Sequence, residues 1–262
     1  MHIQEKAATL SNATFVRPAK FYLSGFIDIP HVKYFYIFLC FVYIMTVLGN
    51  GLLLSVIYLV KTLHTPKYMI VFNLALIDLC GSTALIPKLL DTFLFDNRYI
   101  VYEACLSYMF FVWLSTSVQS WTLVIMAYDR FIAICFPLRY HSIVTKPAIA
   151  AMLLCSWFFL LSLIVCLAGL LDRLSFCSSL VIQSFFCDHG PIYHLACNDN
   201  SLNFIMAKVG ITLIMIINST LTATIPPLLN PIIYSLKTEE VLNSIKKLLK
   251  NNKLSSITHG HL

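Results

Sequence analysis

Five polar side chains interrupt or end long apolar segments, and their types and positions could carry chemistry. Asn50, Asp78 and Asn230 each lie inside an apolar run, and the adjacent pair Asp129-Arg130 ends another. Polar groups inside a membrane are costly and usually face the interior of a helix bundle. A carboxylate beside Arg130 can hold its guanidinium until the bundle opens, which predicts a switch. The alternatives are an interhelical hydrogen bond for Asn50 and a membrane-edge anchor for Arg130.

These residues do not predict an enzyme. Asp78 is the single acid inside the apolar runs, and the sequence shows neither a nucleophile–base pair nor the spacing of a metal site. The nine cysteines contain no CxxC motif, so a zinc site is not indicated. We therefore expect no catalytic residues and no cofactor.

The elements that carry these polar residues are predicted to be membrane-spanning helices. Hydrophobic residues make up 59% of the 262, and charged residues only 11%, against about 25% in soluble domains. A span needs roughly 20 apolar residues. Five segments qualify, and they predict an all-α membrane protein: 34–60, 69–87, 104–128, 148–171 and 209–236.

Basic residues follow the first, third and last of these segments, and they predict the orientation of the chain. Cytoplasmic loops carry an excess of Lys and Arg, which places residues 1–33 outside and the tail 237–262 inside. The net charge of +6 then reflects topology, and no nucleic acid partner is expected. The tail has helical spacing typical of a surface helix, the alternative being a short solvated tail. An outside N-terminus would allow glycosylation at the Asn12 sequon.

Five motifs together resemble the odorant receptors, a family within the rhodopsin-like G-protein-coupled receptors. The resemblance covers residues 20–250, and the run Met126–Tyr140 at the end of the third segment is its most specific part. The motifs are Gly49-Asn50, Leu63–Met69, Asn73–Leu79, Met126–Tyr140 and Pro226–Leu236.

The resemblance implies a plasma-membrane receptor with a rhodopsin-like helical bundle. Its partners would be a small odorant between the helices, an olfactory Gs-type heterotrimeric G-protein and the lipid bilayer. By resemblance, Arg130 helps to engage the G-protein, and Asn50, Asp78 and Asn230 form a polar cluster that is often linked to sodium, with Asp78 as the candidate site. Pro231 loosens the last helix so that Tyr234 can be re-aimed.

The resemblance also implies disulfides and a ligand face. The pairs would be Cys105–Cys187 and Cys177–Cys197, both extracellular, where disulfides persist. One face of the third segment has helical spacing: Met109, Val112, Trp113, Thr116 and Ser117. Periodicity alone favours ordinary packing for this face, whereas the resemblance favours odorant contact. The face carries no acid, which favours neutral, moderately apolar ligands.

The chain departs from the family pattern after Asp199. The family has seven spans, but only 26 residues separate Asp199 from Pro226, and two spans alone need roughly 40 residues. We therefore expect about five spans and doubtful coupling to a G-protein. The alternative to a signalling receptor is a truncated one that stays in the endoplasmic reticulum or modulates other receptors. A transporter or channel is disfavoured because no repeat is present.

Overall fold

Four long helices form the framework of the part of the chain that the structure describes. The computed structural model describes residues 17–24, 32–94, 97–177, 180–184, 186–210 and 212–213, without the side chains at 32–33 and 93–94. The helices are α1 (Val32–Leu59), α2 (Pro66–Leu94), α3 (Tyr102–Cys135) and α4 (Lys146–Asp172). Each contains a segment long and apolar enough to cross a membrane. The predicted fold class, a helical membrane bundle with fewer spans than the family's seven, is confirmed.

The ends of the helices differ from the predicted spans at several points. α2 continues through Pro87 to Leu94, although the predicted span ends at Pro87. Proline removes one backbone donor, yet it is tolerated in membrane helices because neighbouring groups satisfy the freed carbonyl. Residues 201–210 are also helical. Of the predicted span 209–236 only 209, 210, 212 and 213 are described, and the tail 237–262 lies outside the described residues.

A small three-stranded sheet accompanies the helices, which helical periodicity did not predict. The strands are β1 (Lys20–Leu23), β2 (Tyr99–Val101) and β3 (Val181–Ile182), in the order β2-β1-β3. β1 pairs antiparallel with β2 and parallel with β3. Phe21 and Leu23 of β1 are buried, because alternate residues of a strand face the same side. The sheet thus joins residues before α1 to the segments that follow α2 and α4.

Contacts divide the chain into two compact units. The first unit is Met1–Ile44, Cys80–Ser117 and Phe158–Ile214, and the second is Met45–Leu79, Val118–Trp157 and Met215–Leu262. The core of the first unit contains Phe21, Tyr102, Met109 and Leu171. The second unit has one cluster around Ile70 and Ile149 and another around Ile57 and Tyr68.

Two features of the helices fit a lipid environment. Many large apolar side chains of α1 remain exposed, such as Phe38, Phe41 and Leu48, and hydrocarbon is the surrounding that such side chains prefer. In the first unit α2 and α3 approach closely at Gly81. A Cβ added there would lie 2.9 Å from the Ser115 Cβ. Small residues at such contacts are typical of helix packing in membranes.

Candidate ligand cavity and coupling surface

An apolar cavity of about 60 Å³ lies in the first unit. Met109 and Trp113 of α3 contribute to its lining, as do Ile164 and Leu167 of α4. These positions recur at helical spacing, so one face of each helix reaches the cavity. The segment 188–190 and the helix 201–210 complete it. Such a site, mostly apolar with a few polar groups, is the usual form of a small-molecule pocket.

Asp188 supplies a carboxylate at this cavity, and one of its oxygens is already hydrogen-bonded. Its Oδ1 accepts hydrogen bonds from Trp113 Nε1 at 2.9 Å and from the His189 backbone N–H at 2.8 Å. The second bond caps the short helix His189–Tyr193. Asp188 therefore fixes the indole of Trp113 and the start of this helix. The predicted ligand face carries no acid of its own, but tertiary structure brings Asp188 to it.

His189 is the second polar residue of the cavity lining. Its side chain is buried, and Nε2 has no hydrogen-bond partner among the described residues. The amide of Asn203 lies near the ring without completing a hydrogen bond to Nε2. Burial lowers the pKa of His189 below its usual 6.5, and Asp188 and Asn203 offset this only in part. The imidazole is therefore neutral at neutral pH, so Nε2 can donate or accept according to its tautomer.

The five residues of the predicted ligand face have different surroundings. Met109 and Trp113 line the cavity, whereas Val112, Thr116 and Ser117 are outside its lining. The Thr116 hydroxyl donates to the Val112 carbonyl at 2.9 Å, and Ser117 is buried. Because one turn separates Val112 from Thr116, this bond stays within the helix. Contact between these three residues and a ligand remains a prediction.

Two disulfides connect the segment after α4. One joins Cys105 of α3 to Cys187, with 5.5 Å between their Cα atoms, and the other joins Cys177 to Cys197 at 5.9 Å. Cys187 directly precedes Asp188, so the first bond holds Asp188 beside α3. The position of Asp188 next to Cys187 is the sequence signal that could have identified it as a cavity residue.

The second unit contains the acid–arginine pair at the end of α3. Asp129 is only 1% exposed, and its Oδ2 lies 3.8 Å from Arg130 Nε. Its Oδ1 accepts a hydrogen bond of 2.7 Å from the Tyr140 hydroxyl. Burial, together with this bond and the charge of Asp129, raises the pKa of Tyr140 to about 12. Asp129 therefore binds both its neighbour and the segment after α3, and sequence reasoning gave Tyr140 no such role.

An exposed apolar surface lies next to this pair. Leu138 is 100% exposed, and Phe131 and Phe136 are about half exposed. Leu138 and Arg139 belong to a single 3-10 turn that Pro137 starts, since proline favours the first position of a helix. Exposed apolar patches of this kind mark interaction surfaces. We call Arg130, Phe136 and Leu138 the coupling surface.

Two of the predicted polar residues inside the helices have hydrogen-bond partners, Asn50 within α1 and Asp78 on α3. Asn50 Nδ2 donates to the Thr46 carbonyl at 3.1 Å, and Gln119 Nε2 donates to Asp78 Oδ1 at 2.9 Å. The described residues include no group of three or more His, Cys, Asp or Glu side chains that could hold a metal ion. Sodium at Asp78 therefore stays a prediction. Asn12, Asn230, Pro231 and Tyr234 lie outside the described residues.

A further polar network involves a residue that sequence reasoning missed. Asn73 Nδ2 donates to Thr122 Oγ1 at 2.8 Å, and Trp157 Nε1 donates to Asn73 Oδ1 at 2.9 Å. Because Asn73 is on α2, Thr122 on α3 and Trp157 on α4, the network links three helices within the second unit. Its Trp157 could be predicted only as an apolar residue of the fourth span.

Apolar helices with an acid–arginine pair at the end of the third helix are typical of G-protein-coupled receptors. Comparison of the sequence with known proteins identifies the family. The family model for olfactory receptors matches residues 39–223. Olfactory receptor 1496 of Rattus norvegicus is 38% identical over 210 residues, which cover 79% of this chain and 67% of the relative. Olfactory receptor 5K4 of Homo sapiens is 32% identical over 297 residues, which cover 89% and 92%.

The chain belongs to the olfactory receptor family, which confirms the resemblance found in its motifs. It is accordingly a multi-pass plasma-membrane protein of the G-protein-coupled class and not an enzyme. Olfactory receptor 5K16 of Mus musculus is 32% identical over 299 residues, 90% of this chain and 94% of the relative. This alignment is longer than the 262-residue chain, so the relative contains residues that have no counterpart here.

Proposed function

We propose that the chain binds a small neutral odorant in the cavity of the first unit and signals to a Gs-type G-protein through the coupling surface. The apolar cavity with the buried His189 in its lining carries this proposal. A ligand that exchanges a hydrogen bond with the imidazole would bind there more tightly than one that cannot. The orientation is the one predicted from basic residues, with the N-terminus outside.

The cavity limits the chemistry of the ligand. The volume of about 60 Å³ is small beside the roughly 300–1,000 Å³ of pockets that hold drug-sized ligands, which favours a small ligand. Apart from Asp188 and His189, the lining is apolar, as Ile164, Leu167 and Met206 show. Asp188 Oδ1 already accepts two hydrogen bonds, and His189 is the other polar residue of the lining. We therefore expect short-chain alcohols, aldehydes or ketones to bind better than alkanes.

The ligand site can be tested separately from signalling. Purified chain is heated with a panel of short alcohols, ketones and alkanes, and stabilisation reports binding. Replacing His189→Leu should weaken binding of an oxygen-containing ligand about 3- to 10-fold, the value of one neutral hydrogen bond, and leave alkanes unaffected. His194→Leu is the matched control, because His194 is exposed and outside the cavity lining. Equal losses in both variants, or none in either, would refute the proposed anchor.

The coupling surface has its own test. Ligand-evoked cAMP is measured in cells that express the chain, and Leu138→Ser should reduce it without altering ligand-induced stabilisation. Leu138 is fully exposed, so its replacement leaves the packing of the fold intact. Leu202→Ser, at an exposed leucine of the first unit, is the control. A response that is unchanged in Leu138→Ser and in Arg130→Ala would exclude this surface.

The second candidate function is a non-signalling receptor that is retained in the endoplasmic reticulum or modulates other receptors. The alignment that exceeds the length of the chain favours it, because the relative's additional residues are absent here. This candidate predicts ligand-induced stabilisation without any cAMP response. It also predicts that an N-terminal tag is not stained on intact cells but is stained after permeabilisation. Surface staining together with a ligand-evoked response would exclude it.

A further inference from the structure

The segment between α3 and α4 carries a hydroxyl that has no role in the proposed coupling surface. Ser142 is exposed and lies in the four-residue helix Tyr140–Ile143, directly after the turn Pro137–Arg139 that carries Leu138. Its Oγ donates a hydrogen bond of 2.8 Å to the Arg139 carbonyl. The hydroxyl therefore closes the end of the turn that presents Leu138.

The residue three positions before Ser142 is an arginine. Of the arginines in the chain, only Arg139 is followed by Ser or Thr at this spacing. Basophilic protein kinases select an acceptor hydroxyl by an arginine at this position, because acidic side chains of the kinase bind the guanidinium. Arg139 is exposed and forms no salt bridge with any residue that the structure describes. Its guanidinium is therefore available to such a kinase.

The local structure gives a kinase access to the hydroxyl. A kinase binds its acceptor segment in an extended form, so the segment 137–143 has to open. It consists of two short turns, of three and four residues, and most of its residues are exposed. Exposed backbone of this kind opens at a free energy well below that of global unfolding. The Ser142 hydroxyl can therefore reach a kinase while α3 and α4 stay folded.

We propose that Ser142 is a phosphorylation site for a basophilic serine/threonine kinase, and that the phosphate opens the turn that carries Leu138. Ser142 Oγ attacks the γ-phosphorus of ATP, and the new O–P bond replaces the bond to the oxygen that bridges the β- and γ-phosphates. ADP leaves, and the hydroxyl proton passes to a base of the kinase. The ester oxygen has no hydrogen to donate, and the phosphate carries a charge of about −1.5 to −2. The hydrogen bond to the Arg139 carbonyl is then replaced by repulsion between oxygens.

The modification has a consequence for signalling, and that consequence rests on the proposed function. The predicted orientation places the segment in the cytoplasm, where ATP is present, and an opened turn no longer presents Leu138 beside Arg130. Phosphorylation should therefore lower the ligand-evoked cAMP response. The phosphate and the opening of the turn are measured on the purified full chain without a G-protein, so their failure is distinct from a failure of coupling.

The first measurement is the site and rate of phosphorylation. The purified chain is incubated with ATP and the catalytic domain of a calmodulin-dependent protein kinase, which selects arginine at this position, and mass spectrometry locates the phosphate. We expect phosphate on Ser142 and at least about tenfold slower incorporation in Arg139→Gln, the value of one charge-assisted contact. Lys61→Gln, at an exposed lysine of another loop, is the control and should leave the rate unchanged. Phosphate only on other hydroxyls, such as the exposed Thr62, would overturn the site.

The second measurement is hydrogen exchange of the segment before and after phosphorylation. The Arg139 and Val144 N–H groups donate to the Phe136 and Tyr140 carbonyls at 2.9 Å and 2.8 Å. Both should exchange about 3- to 10-fold faster once the phosphate is present, the value of one lost hydrogen bond, while α4 is unchanged. Ser142→Ala should show no change on treatment with the kinase. Equal protection of residues 136–144 in the phosphorylated and unmodified chains would overturn the proposed opening of the turn.

Discussion

Gly81→Ala should destabilise the chain, although alanine is the better helix former. In a helix interior, glycine to alanine ordinarily stabilises by about 0.5–1 kcal/mol. At Gly81, however, the new Cβ would lie 2.9 Å from Ser115 Cβ and 3.4 Å from Ser115 Oγ. A Cβ cannot rotate away, so α2 and α3 must separate locally. Overpacking of this kind costs about 1–3 kcal/mol, which leaves a net loss of up to about 2.5 kcal/mol.

Gly169→Ala is the matched control, because it lies within α4 and an added Cβ would meet nothing within 4 Å. It should raise stability by about 0.5–1 kcal/mol. The assay is unfolding in mixed micelles with increasing dodecyl sulfate, followed by tryptophan fluorescence. The difference between the two variants removes the helix propensity and leaves the steric cost.

Ser115→Gly provides the decisive third variant. Combined with Gly81→Ala it removes both atoms that the new Cβ would meet, so the double variant should recover about 1–3 kcal/mol relative to additivity. Stabilisation by Gly81→Ala equal to that by Gly169→Ala would refute the close approach of α2 and α3. Additive effects of Gly81→Ala and Ser115→Gly would refute it as well.

Three further predictions concern the polar groups and the disulfides. Asn73→Leu and Trp157→Phe should each destabilise the chain. A double-mutant cycle of the two should give a coupling energy of about 0.6 kcal/mol, the mean for hydrogen bonds between membrane helices. A coupling energy of zero would contradict the bond between the two side chains. Burial lowers the pKa of His189 below 6.5. Its contribution to stability is therefore fully present above pH 6.5 and is lost as the pH falls below that value. The thermal unfolding midpoint of His189→Gln should not show this loss at acid pH, and midpoints of the parent chain and the variant that fall in parallel would contradict the prediction. Replacing both Cys177 and Cys197 with alanine should lower the free energy of unfolding by about 3 kcal/mol, because the disulfide closes a loop between residues 20 positions apart. An unchanged unfolding midpoint would contradict that cost.

The cavity of the first unit shows how much of a binding site can be predicted from the sequence. Spacing on the third span singled out Met109 and Trp113, which line the cavity, because side chains three or four residues apart share a helix face. The same spacing also included Thr116, which is exposed. Periodicity shows which residues share a helix face, but it does not show how much of that face a neighbouring segment covers. Asp188 and His189 reach the cavity from the cap and the first residue of a five-residue helix, which is too short for its periodicity to be recognised in the sequence.

The sequence by itself determined that this is a helical membrane protein of the olfactory receptor family. Twenty or more apolar residues in a row leave the backbone no alternative to a helix in lipid, and the run Met126–Tyr140 is specific. Only the tertiary structure decided which polar groups meet. Trp113 and Asp188 are 75 residues apart, and Trp157 and Asn73 are 84 apart. Their contacts depend on how helices and loops pack, because the unpaired polar groups must find partners wherever the packing brings them.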